Sequence, residues 1–258
     1  MQRISIVNQK GGVGKTTTAI NVAHYLAQKG LKVLLVDLDP QAHATQGLGL
    51  SPRPDSLTLY HVLIGSASLS DILLEARPNL WVAPSSLKLA AAEVELSSRL
   101  GRELLLDRAL LTVHERFSFA LIDSPPSLSI LTYNSLMAAD FIIVPIQTHP
   151  FAIAGAVDLL PLLDEAKKFN ARLKGYKIVP TLVEERTRVG SKLLSQLKEF
   201  FGDRCYRTFI RKNVHLAEAV ERGQTIFEFA PNSNGAHDYA SLSEEVLLDV
   251  AAWQEVFS

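Results

Sequence analysis

A single cysteine, Cys205, stands in this 258-residue sequence, so no internal disulfide can form and the disulfide-stapled secreted scaffolds are excluded. Long hydrophobic runs are missing too. KVLLVD and DFIIVPI fall far below the ~20 residues that cross a bilayer as a helix, and nothing ahead of RISIVN resembles a secretory signal. These absences predict a soluble protein of the reducing cytoplasm. No repeat or low-complexity tract interrupts the chain, which predicts one globular domain over residues 1–258. Several chemistries lack their signatures. There is no H-E-x-x-H, C-x-x-C or G-x-S-x-G, and the seven histidines show no ligand spacing. Without G-x-G-x-x-G, a dinucleotide fold is excluded as well. The final stretch from Gly223 to Ser258 has no lysine or arginine, which disfavours attachment of this end to a membrane surface as a basic amphipathic helix.

What is present begins with alternation. Short apolar, β-branched runs at 3–8, 32–37, 80–84, 119–123, 140–146 and 175–183 read as strands buried on both faces. Between and after them, helical periodicity predicts helices at 16–29, 57–64, 87–96, 102–116, 129–138, 152–169, 189–201 and 237–257. This order predicts an α/β fold, a doubly wound, mostly parallel sheet flanked by helices, with ligands gathered beyond the carboxyl ends of the strands.

The first strand runs into KGGVGKTTT. Gly11, Gly12 and Gly14, with Val13 between them, let the backbone turn its N–H groups toward phosphate oxygens, and the following helix adds its positive end. Lys15 is placed to reach the β- and γ-phosphates, Thr16 to put a hydroxyl beside Mg²⁺, and Thr17 to donate to the next phosphate inward. Asp37 and Asp39 project the same way from the tip of another strand in LLVDLDPQ, and Asp123 ends a third in FALIDSPPS. Asp123 has the position of a carboxylate that holds Mg²⁺; Asp37 and Asp39 have turn formation ahead of Pro40 as their alternative. No N-K-x-D occurs, which favours ATP over GTP.

KGGVGKTTT resembles the deviant Walker A loop of the ParA/MinD family of P-loop ATPases, in which a signature lysine precedes the double glycine. The resemblance runs from Ile4 to about Leu247, through DLDPQAHAT, DSPPSLSILTYNSL, NVHLAEA and NSNGAHDYASLSEEV, and is nearest the small chromosomal ParA proteins. It implies a homodimer that sandwiches two ATP molecules, with Lys10 crossing to the nucleotide of the other subunit. It also implies that Asp39 orients the attacking water, that Asp37 lies in the outer shell of the metal, and that Asn213 helps read the adenine, although a core or surface role describes that asparagine equally well. His43 stands where the family usually has asparagine.

Net charge is only −1, yet 14 of the 26 lysines and arginines fall between Lys167 and Arg222 against six acidic residues, so that segment carries +8 and the remainder −9. Such a segment is either a solvated set of helix faces or a basic patch. The resemblance implies the patch: members bind nucleoid DNA without sequence preference when ATP has dimerised them. Arg186 matches one of their arginines, while His215 replaces another. Arg188, Lys192, Arg211 and Lys212 complete the candidate DNA surface. A ParB-type stimulatory partner and a role in chromosome or plasmid segregation follow from the same resemblance, with positioning of a protein cargo such as a carboxysome or chemoreceptor cluster as the alternative.

Overall fold

The computed structural model describes residues 1–149, 153 and 157–256. Seven strands form one sheet in the order β3-β4-β2-β5-β1-β6-β7: β1 (Gln2–Ile6), β2 (Val33–Asp37), β3 (Leu74–Arg77), β4 (Leu80–Ala83), β5 (Phe119–Asp123), β6 (Phe141–Gln147) and β7 (Gly175–Thr181). Among the described residues only β3 runs antiparallel to its neighbour; every other strand pairing is parallel. Strand β2 shows why the predicted runs are apolar on both faces. Val33 and Leu35 enter one core with Ile4, Ile20 and Leu26, whereas Leu34 and Val36 enter another with Leu106, Ile122 and Leu131. Each residue along the strand is covered by a helix layer, as a parallel sheet requires.

The first layer holds α1 (Lys15–Gln28). Opposite lie α5 (Leu89–Glu95), α6 (Leu105–Leu111) and α7 (Ile130–Ala138), after the short α2 (His43–Gly47), α3 (Leu59–Ile64) and α4 (Leu69–Ile72). Then come α8 (Leu160–Phe169), α9 (Arg188–Phe201), α10 (Val214–Glu221), α11 (Ile226–Phe229) and α12 (Asn234–Val256), the last lying against α1. The helix expected over 152–169 is described only from Leu160, with Pro161 in its first turn where the missing N–H costs nothing; residues 152 and 154–156 lie outside the described residues. The helix expected to reach 116 stops at Leu111, and the Thr112 hydroxyl turns back onto the Ala109 carbonyl at 2.7 Å. Among the described residues no helix is long and apolar enough to cross a membrane.

Two glycines join distant parts of the chain. Gly49, after α2, and Gly223, after α10, have φ 75° and 65°, and a Cβ on Gly223 would lie 2.6 Å from the Gly49 Cα. Only a residue without a side chain fits this backbone contact. Arg77 fixes it, donating from Nη2 to the Gly223 carbonyl at 2.9 Å and from Nη1 to the Leu48 carbonyl at 3.1 Å.

Candidate nucleotide-binding site

The loop between β1 and α1 turns at Gly12, φ 74°, and Gly14, φ 92°, both in the left-handed region that a side chain resists. No atom lies within 4 Å of where a Cβ on Gly11 or Gly12 would stand, so the concave face is open to a ligand. Val13 is buried and only its backbone can face that ligand. Asn8, which the sequence reading missed, shapes the loop mouth: its Nδ2 donates to the Pro145 carbonyl at 2.7 Å and its Oδ1 accepts from Lys10 N at 2.9 Å.

Lys15 and Lys10 differ sharply in setting. Lys15 is 7% exposed, and its Nζ donates to the Lys10 carbonyl at 3.1 Å. Burial pulls its pKa down, opposed by the carboxylates of Asp123 and Asp39. Such a desolvated ammonium interacts strongly with any anion entering the loop. Lys10 is exposed, and no side-chain hydrogen bond or ion pair engages its ammonium among the described residues.

Three strands adjacent in the sheet, β2, β5 and β1, deliver the acidic residues and the glycine loop to one end. Asp37 and Asp123 are register partners. Asp123 is fully buried, and neither carboxylate oxygen has a hydrogen-bond partner; the neighbouring Thr16 hydroxyl does not complete one of ordinary geometry. Burial first, and then the Asp37 charge, push its carboxyl well above the usual range. Two buried oxygens without donors are a costly arrangement, and a hard divalent cation is the partner that suits them. The neighbouring Thr16, which lines the cavity beyond the glycine loop, fits the same ion.

Asp37 has a structural task of its own. Its Oδ2 accepts from both Thr45 N, at 2.7 Å, and Thr45 Oγ1, at 2.6 Å, and its Oδ1 accepts from Asp39 N at 3.3 Å. The carboxylate therefore moors α2, and burial pushes its pKa up to about 6 despite those donors. Asp39 keeps one oxygen on Gln41 N, at 2.9 Å, and lines the cavity beside Lys15. The cavity holds about 600 Å³, and Asn213, Leu216 and Tyr239 line it together with the glycines. That size suits a nucleotide-scale ligand.

Comparison with known proteins agrees with this geometry. A family described as an AAA domain matches residues 1–175. The sporulation initiation inhibitor protein Soj of Bacillus subtilis is 40% identical over 94% of this chain and 97% of its own. The chromosome-partitioning ATPase Soj of Thermus thermophilus is 43% identical over 97% of each. The chain belongs to the ParA/MinD family of P-loop ATPases. A solved structure of cobyrinic acid a,c-diamide synthase from Mycobacterium smegmatis, with ADP and magnesium bound, superposes with a TM-score of 0.82 at 30% identity, over 96% of this chain and 94% of that one.

Among the residues singled out beyond the phosphate loop of this ParA/MinD-family chain, Asn213 caps α10, its Oδ1 accepting from His215 N at 3.0 Å. It lines the cavity while serving the helix. Arg186, Arg188 and Lys192 are exposed, and no side-chain hydrogen bond or ion pair engages them among the described residues, with Arg188 and Lys192 one turn apart on α9. Arg211 is not free for a phosphate. Its Nε and Nη2 hold the buried Asp238 of α12, a partner 27 residues away that local sequence does not announce. The Lys212 ammonium lies 2.6 Å from Glu184 Oε1, an exposed pair that solvent screens.

Proposed function

We propose that this protein is a single-domain ATP-dependent dimerising switch of the chromosome-partition type. It holds Mg·ATP, binds nucleoid DNA without sequence preference as a dimer, and leaves it after slow hydrolysis stimulated by a ParB-type partner. The observation that carries the reading is the contrast between two lysines on one loop: Lys15 buried against the cavity and Lys10 exposed with no side-chain partner among the described residues. Lys15 neutralises phosphate charge inside its own subunit, while Lys10 finds its anion across a dimer interface. ATP binding is thereby coupled to dimerisation.

Asp123 and Thr16 would hold Mg²⁺, which when bound supplies positive charge to the terminal phosphates. Asp39 orients a water for attack on the γ-phosphorus; the bond from that phosphorus to the ADP oxygen breaks, and the water's proton passes to the released phosphate or solvent. Lys15 and the partner subunit's lysine stabilise the charge spreading over the transferring phosphoryl oxygens. The higher identity to the two Soj proteins than to the diamide synthase supports a partition role.

Lys10→Ala is expected to stay monomeric at ATP concentrations that dimerise wild type, with dimer affinity lowered at least ~10-fold by loss of a charge pair closed across the interface. Sedimentation velocity with ATP checks this; an equally dimeric variant removes Lys10 from the switch. For DNA, Arg186→Ala is expected to weaken ATP-dependent binding and make the logarithmic salt dependence shallower by about 2, since each dimer loses two phosphate contacts. Fluorescence anisotropy across several salt concentrations reads both effects, and an unchanged affinity and slope excludes Arg186.

A further inference from the structure

The phosphate loop is held by a strand on the far side of β6 as well as by its own helix. Thr181, the last residue of β7, is 2% exposed, and its hydroxyl donates to the Val13 carbonyl at 2.8 Å. Its methyl packs at 3.8 Å from where a Cβ on Gly14 would stand. The next residue, Leu182, has φ 52°, a left-handed conformation unfavourable to a leucine. Its carbonyl accepts from Thr148 Oγ1 at 3.3 Å, and the residue lines the same cavity as Gly12 and Lys15.

The chain then leaves the cavity under continuous restraint. Val183 N donates to the Ile210 carbonyl at 3.0 Å, and Lys212 N donates to the Val183 carbonyl at 3.1 Å. Glu184 Oε1 accepts from Lys212 Nζ, and the Glu184 carbonyl accepts from Thr187 N at 3.0 Å. Thr187 in turn caps α9, accepting from Gly190 N at 3.0 Å, so Arg186 and Arg188 flank a fixed point. A segment pinned at the phosphate loop, strained at its second residue and pinned again at the basic helix is a short mechanical link with two anchored ends.

We infer that residues 181–187 form a strap that carries the state of the phosphate loop to the basic surface, with Thr181 as the positioning residue at its loop end. This inference rests on the DNA-binding switch reading above. A ligand shifts an equilibrium only by contacts that differ between two states. A ligand seated on the glycines fixes the orientation of the Val13 carbonyl and meets the Leu182 wall of the cavity. The Thr181 hydroxyl passes the first constraint to the strap and the strained Leu182 backbone passes the second. Residues held in sparsely populated backbone regions are where such two-state behaviour resides.

The test measures affinity for a fluorescein-labelled duplex of arbitrary sequence, at saturating ATP and at saturating ADP, for wild type, Thr181→Val, Thr181→Ser and Leu182→Gly. Thr181→Val keeps the shape and removes the donor; Thr181→Ser keeps the donor. The expected ATP-to-ADP affinity ratio falls about fivefold in Thr181→Val, the worth of one buried hydrogen bond, and returns to near wild type in Thr181→Ser. Dimerisation at saturating ATP is expected to persist in both, which a general loss of folding does not permit. Leu182→Gly, which releases the strained backbone without touching the Thr181 hydroxyl, is also expected to lower the ratio and keeps the test open if Thr181→Val does not fold. A wild-type ratio of one overturns the switch reading and the strap with it. A normal wild-type ratio with an unchanged ratio in Thr181→Val, or in Leu182→Gly where Thr181→Val is unfolded, overturns the strap alone, as does a Thr181→Ser protein as uncoupled as Thr181→Val.

Discussion

Asp123→Asn is expected to melt about 2–10 °C above wild type in nucleotide-free, chelator-treated buffer, and to hydrolyse ATP about 10²–10³-fold more slowly. The two effects have opposite signs and one cause. Both Asp123 oxygens are buried without donors, and the Asp37 carboxylate lies in register beside them. An ionised group there has lost its water and gained repulsion, which accounts for its raised pKa. A neutral amide of the same shape relieves roughly 1–3 kcal/mol of that cost. The same substitution removes the anionic oxygens that would hold Mg²⁺ against the phosphates. Differential scanning calorimetry and phosphate release with Mg·ATP read the two arms. A variant no more stable than wild type that still turns over ATP at the wild-type rate contradicts the assignment of Asp123 as a functional carboxylate kept at a cost in stability.

Asp39→Ala is expected to dimerise with ATP as wild type does while hydrolysis falls by about 10²–10³-fold, the range associated with losing a group that positions or stabilises at the reacting centre. One Asp39 oxygen is used by Gln41 N, and no hydrogen bond from the described residues engages the other. That second oxygen is the one available to orient a water. Asp37 is fully buried and holds Thr45 and Asp39 N, whereas Asp39 lines the cavity. Sedimentation velocity and single-turnover phosphate release separate association from chemistry. A monomeric Asp39→Ala protein at saturating ATP assigns this carboxylate to assembly instead.

Strands β2, β5 and β6 were legible because they are buried on both faces and therefore announce themselves as nearly uninterrupted apolar runs. Strand β3 escaped: LEAR is a half-exposed antiparallel edge, defined by its pairing with β4 and not by its own apolarity. Helix α2 escaped as well, since HATQG has no apolar stripe and is organised by Asp37 gripping Thr45. Helix α10 was read only as a motif, although Asn213 at its cap and the pair Leu216 and Ala219 on its buried side were visible signals. At the site, the glycine loop and strand-end carboxylates could be placed because their spacing along the chain fixes their geometry. Asn8, Thr181 and the Arg211–Asp238 pair could not, because each acquires its meaning from a residue distant in sequence.

The contact between Gly49 and Gly223 has a consequence for how the molecule can change over generations. One glycine follows the helix moored by Asp37 and the other follows the helix that forms part of the cavity wall, so the gauge of that cavity is set where two main chains touch. Side chains along the walls can be exchanged while this spacing stays constant, whereas a single methyl at either glycine acts as a wedge between them. The spacing of these two helices is therefore tied to two positions whose left-handed backbone and close approach resist any side chain.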